Sequence, residues 1–153
     1  LRDALTELDA DLPFVDLPAE CIEFLREHDI PDDIIEDLKH CALPDWIEIG
    51  PLTLVPMPDF INQNTHSIAQ CIENGFLALA AGANGDPVVL DSPSRQMLFV
   101  SHDLLWSDDW SEFRECVHPT PYTYDNFWTA VTRDPKFPWD YYEAQKRWPL
   151  SDV

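Results

Sequence analysis

The sequence predicts an α+β protein, an antiparallel meander of about four to six strands with helices before and after it. Three observations lead there. Apolar runs at Phe76–Ala81, Val88–Leu90 and Met97–Val100 lie close together, joined by gaps too short for a parallel crossover. None of the three alternates cleanly between apolar and polar, so both faces of the sheet should be covered. On either side of them, apolar residues recur at helical spacing. With 153 residues the chain suits a single domain, 1–153, large enough to bury about 70% of its unfolded surface.

In chain order, Leu1, Leu5 and Leu8 mark a short first helix that Pro13 ends. Leu17, Cys21, Phe24 and Leu25 then share one helix face, with Pro18 in the first turn, where its missing N–H costs nothing. A further helix starts near Pro31 and turns Ile34, Leu38, Cys41 and Ala42 inward. Asp32, Asp33, Glu36 and Asp37 occupy its first two turns, where they suit the helix dipole. Trp46–Pro56 reads as one or two edge strands broken at Gly50-Pro51, since Pro51, Pro56 and Pro58 each remove a ladder donor. Met57–Asn74 is polar and turn-rich, with room for a short helix around Ser67–Ile72.

Between the first two central strands, Asn84-Gly85 suits a tight turn in which both residues take positive φ. After the sheet, Ser107 reads as an N-cap with Asp108 and Asp109 in the first turn, opening a helix that carries Trp110, Phe113 and Val117 inward. His118-Pro119-Thr120-Pro121 reads as a linker. Thr123 or Asp125 starts a helix with Phe127, Trp128, Ala130 and Val131, and Pro138–Arg147 forms a last amphipathic segment with Trp139, Tyr142 and Trp148.

The net charge is −20, and residues 1–48 hold 15 acids against 3 bases. Such a surface argues against nucleic acid and anionic membranes, which need Lys and Arg, and favours rapid capture of something basic. Cys21, Cys41, Cys71 and Cys116 are far apart. Four cysteines allow two bridges, yet each lies on an apolar helix face, so buried thiols in a reducing compartment are expected. No stretch is long enough to span a bilayer and no secretory signal is visible, which leads to a cytoplasmic location.

Chemistry-bearing patterns are few. Ser101-His102-Asp103 names a hydrolase triad, but neighbours on a strand point to opposite faces, so His102 reads as structural. Cys71 with His66, and Cys116 with His118, lack face-to-face helical spacing. Zinc spacing and a calcium loop are both missing, and Asp86 reads as a turn residue bonding local N–H groups. The expectation is no enzyme, no cofactor and no metal.

A "GFLAL" strand at Gly75–Leu79, a turn at Ala83-Asn84-Gly85-Asp86, "PVVLD" at Pro87–Asp91 and "FVSHD" at Phe99–Asp103 resemble the central hairpins of the SUKH superfamily. Leu17-Pro18 with Phe24-Leu25 is similar to that family's opening helix, and the likeness spans roughly residues 14–132. The resemblance implies a cytoplasmic immunity protein that neutralises a toxin domain by protein–protein contact. Its partner would be basic, such as a nuclease. The alternative within the same superfamily is a non-catalytic scaffold or regulatory domain. Candidate partner-binding residues are the acids Asp32, Asp33, Glu36 and Asp37, with Trp106 and Tyr122 as aromatic anchors.

Overall fold

A computed structural model describes residues 1–107 and 109–150, apart from the side chains of Ser67 and Ala69. Its centre is a six-stranded sheet in the order β1-β2-β3-β4-β5-β6, every neighbouring pair antiparallel. The strands are β1 (Ile47–Ile49), β2 (Leu52–Leu54), β3 (Phe76–Ala81), β4 (Pro87–Asp91), β5 (Gln96–Val100) and β6 (Val117–Thr123). The three central strands match the apolar runs, and the chain is α+β as the patterning predicts.

The unbroken apolar runs have a clear physical reason. Leu77, Leu79, Val88, Leu90, Met97 and Phe99 enter the larger core, beneath α1 (Arg2–Leu8), α2 (Ala19–Glu27), α3 (Asp32–Lys39), α4 (Met57–Asn62), α7 (Tyr124–Arg133) and α8 (Tyr141–Arg147). Ala78, Val89, Leu98 and Val100 point the other way. They meet Ile68 just before α5 (Ala69–Glu73), Cys71 within it, Leu105 of α6 (His102–Trp106), and Phe113 and Cys116 of a 3-10 turn at Phe113–Cys116. Polar alternation has no place in strands that are covered on both sides.

Four expectations change. Met57–Asn74 is helical almost throughout: α4 runs into a π-turn at Gln63–Ser67 and then α5. Asn64, fully buried, explains why so polar a stretch packs. Its amide donates to Phe60 O and Ala78 O at 3.0 and 3.1 Å, and its oxygen accepts from Ala78 N at 2.8 Å. β2 pairs with β3 only at Ala80 and Ala81, so Asn64 supplies the bonds that Ala78 would otherwise lack.

The 118–121 segment is an edge strand rather than a linker. Pro119 lies opposite Leu98, and an edge strand tolerates the missing N–H groups of Pro119 and Pro121. Ser107 closes α6 instead of opening a helix: its hydroxyl donates to Leu104 O at 2.9 Å, and among the described residues only the 3-10 turn follows before β6. Asp108, expected in that helix's first turn, lies outside the described residues. Finally, Asn84 does not share the positive φ. The turn closes through Gly85 N to Gly82 O at 3.0 Å and Gly82 N to Asp86 O at 2.8 Å. Gly85 alone in it takes a positive φ, of 90°, the pattern of a three-residue loop with a bulge.

In the C-terminal segment, Tyr141 and Ala144 are the residues of α8 that face the core, while Trp139 and Tyr142 stay exposed. In α1, Leu5 is buried and Leu8 is exposed.

Candidate functional site

The acids of α3 have unequal roles. Asp33 is held by Arg95, whose two terminal nitrogens donate to its carboxylate at 2.9 and 2.8 Å. The same guanidinium donates to Asp125 at 3.1 and 2.7 Å. Arg95 sits at the tip of the β4–β5 hairpin with φ 63°, so one side chain ties that tip to the N-terminal turns of α3 and α7. Its hydrogen bonds hold the Asp33 carboxyl below its ordinary range. Arg95 is the only base between Lys39 and Arg114. That isolation was the signal that could have revealed the clamp.

Asp37 also has a structural role. The Tyr124 hydroxyl donates to it at 2.5 Å, the Leu1 amino group at 2.8 Å and Arg2 N at 3.4 Å. Burial pushes its carboxyl up, but the bonds from Leu1 and Tyr124 prevail and hold it below the usual range. Glu36 pairs with Lys39 at 2.7 Å on the surface. Asp32 is exposed and has no ion-pair partner among the described residues.

Asp32 has company. Of the 15 acids in residues 1–48, four have an ion-pair partner, namely Glu7, Asp33, Glu36 and Asp37. The other eleven are exposed, with no base within 4.0 Å among the described residues. Three of them, Glu20, Glu23 and Glu27, fall at i, i+3 and i+7 on the outer stripe of α2. Glu23 and Glu27 line an open groove of about 630 Å³ between α2 and α3, together with Ala19, Ile22, Arg26 and Lys39. Like charges at such spacings repel and lower helix stability, so this stripe is poorly explained by folding alone.

The aromatic candidates separate. Tyr122 is half-buried, stacked on Phe137 with centroids 6.3 Å apart and edge-on to Trp148 at 5.8 Å. Its strand end pairs with Gln96, beside Arg95, so it shares that end of the sheet with Asp33. Trp106 follows the opposite end of β5, roughly 16 Å away along a five-residue strand. It is 66% exposed. The six candidates therefore form no single patch.

Around Trp106 the chain builds a second feature that the sequence reading missed. Asp86 is fully buried, and its carboxylate accepts from His102 N at 3.1 Å, Tyr141 N at 2.9 Å and Asn84 Nδ2 at 3.0 Å. One oxygen also lies 2.5 Å from His102 Nδ1. Asp86 thus fastens the N-termini of α6 and α8 to the β3–β4 turn, on opposite faces of the sheet. Gly82 allows the close approach, because a Cβ there would collide with the Trp139 carbonyl. Ser101-His102-Asp103 is a helix start rather than the strand expected of it: Ser101 caps α6, and His102, half-buried, sits in its first turn against Asp86. Nothing in its sequence neighbourhood distinguishes Asp86 from an ordinary turn aspartate.

Between α6, the π-turn and β3 lies a recess of about 140 Å³, lined mainly by Val55, Ile68, Ala78, Ala80, Ala81 and Pro87. Gln63, Gly85, His102 and Trp106 complete its lining. The four cysteines are buried free thiols, and burial pushes the Cys41 and Cys71 thiols up to about 12. Among the described residues there is no cluster of His, Cys, Asp and Glu suited to a metal, and no helix is long and apolar enough to cross a membrane. No family model, curated protein or solved structure matches the chain, so the SUKH likeness rests on the motifs quoted above.

Proposed function

We propose that the protein is a non-catalytic binding protein of the cytoplasm that captures a basic protein domain and masks it, as an immunity protein neutralises a toxin. The observation that carries this reading is the set of eleven exposed acids in residues 1–48 that have no ion-pair partner among the described residues. A folded surface gains nothing in stability from such a set, because unpaired like charges repel one another. A partner with a basic cleft gains fast, steered association and correct register. The acids that bind are those of α2 with Asp32 at the start of α3, while Asp33 and Asp37 hold the fold and Glu36 is paired with Lys39.

The test is a rescue assay. An immunity gene should lie directly beside a toxin gene, so the terminal domain of any large protein encoded next to this one is expressed in a sensitive host, with and without this chain. Survival should depend on co-expression, and the variant with Glu20, Glu23 and Glu27 changed to Lys should fail to protect while remaining folded. Equal protection by that variant would remove the acidic stripe from the interface.

A further inference from the structure

The recess beside Trp106 has features that the acidic helices do not explain. Its floor is small and apolar, with Ala78 and Ala80 each 1% exposed, and β3 is irregular there, shifting register between those two residues. One wall is the π-turn at Gln63–Ser67, a rare backbone form that recurs at functional sites. The other wall is His102 and Trp106, edge-on with centroids 5.3 Å apart. Both ring nitrogens of His102 face carboxylates, Nδ1 at Asp86 and Nε2 at 3.2 Å from the exposed Asp103. His102 is therefore held in place, and the wall borders on negative charge.

Size and chemistry identify the occupant. At about 140 Å³ the recess is smaller than the roughly 300–1,000 Å³ of small-molecule sites, and suits one side chain. An exposed indole is the best aromatic face for a cation. Apolar flooring beneath a charged rim is what a long basic side chain requires, since its methylene stem seeks apolar cover while its head stays near water and carboxylate. Net charge on the whole chain, −20, favours the same guest.

We infer that this recess is the anchor pocket for a single arginine or lysine side chain of the basic partner. The stem lies over Ala80 and Ala81, and the cationic head lies between the Trp106 indole and Asp103. The inference deepens the proposed capture of a basic domain and rests on it. It places a second contact at the opposite end of the sheet from the Arg95 clamp, and so calls for a partner that spans this distance.

Nuclear magnetic resonance of the ¹⁵N-labelled full chain tests it, with Nα-acetyl-arginine N-methylamide as the probe and the norleucine analogue as its uncharged counterpart. The arginine probe at millimolar concentration should shift the Trp106 indole N–H and the amides of Ala80, Ala81 and His102 in a saturable way. Norleucine should bind these positions more weakly. In Trp106→Ala, an exposed position whose loss leaves the core intact, the amide shifts should need about three to five times more arginine. Equal binding of norleucine would overturn the basic guest in favour of an apolar one. Arginine shifts confined to α2 and α3 would overturn the pocket and leave the acidic capture standing. Shifts at neither place would overturn both.

Discussion

Asp86 shows how much one side chain can organise. A buried carboxylate accepting from two helix N-termini and a turn amide does in one place what several caps do elsewhere. Asp86→Ala would leave those donors unpaired in the interior, at a cost of at least about 3 kcal/mol in a urea unfolding experiment. Asp86→Asn keeps one acceptor oxygen but turns an NH₂ toward donors, so it should fall between the two. Arg95 offers a contrasting case on the surface. Arg95→Ala loses the links to Asp33 and Asp125 and should cost about 1 kcal/mol, because exposed pairs are weak. Arg95→Gly loses the same links yet relieves a positive φ, so it should be milder by up to about 1 kcal/mol. Neither set of partners was legible in sequence. Asp86 stands in an Asn-Gly-Asp string that any turn could contain, and Arg95 finds Asp33 across 62 residues.

The elements were legible where periodicity and burial agree. β3, β4 and β5 are continuous apolar runs, and α2, α3 and α7 each bury one face at helical spacing. They were illegible where a single polar residue or a pair of prolines decides the structure. The α4–π–α5 segment is polar on average, and it packs because Asn64 completes the bonding of Ala78. Asn64→Ala should therefore destabilise the protein by about 2–4 kcal/mol, read by urea unfolding, because Ala78 loses both partners in a dry site. A change under about 0.5 kcal/mol would mean that this segment is not fastened through Asn64. β6 was hidden by Pro119 and Pro121, which read as a linker until the strand's edge position explains them. In the central strand, Leu79→Asp should abolish cooperative folding, since Leu79 is 4% exposed and an unpaired charge there costs several kcal/mol. The acidity of the front was readable from residue counts. Which acids are free and which hold the fold depended on distant partners, Arg95 for Asp33 and Tyr124 for Asp37.

At the scale of the whole molecule, buried thiols and tied carboxylates set the pH limits of stability. Cys41 and Cys71 have their thiols raised by burial from 9.0 to about 12, so their contribution is fully present below 9.0 and is lost as the pH rises toward 12. Asp33, through the Arg95 bonds, and Asp37, through Leu1 and Tyr124 working against burial, lie below the ordinary 3.8. Their contribution is present above that value and is lost as the pH falls through the lowered ones. Urea midpoints should thus decline on both sides of a neutral plateau. Ellman's reagent at neutral pH should find the four thiols protected in the native protein and all four reactive in denaturant.

If the free acids of residues 1–48 serve association, the rate at which the basic partner domain binds, measured by stopped flow, depends on salt. Charges act over about 30 Å at 0.01 M salt but only about 8 Å at 0.15 M. The association rate constant kon should fall at least about tenfold across that range while koff changes little. The Glu20, Glu23 and Glu27 to Lys variant should start from a lower kon and show a flatter salt dependence. A kon that is the same at both salt concentrations would rule out capture steered by these acids.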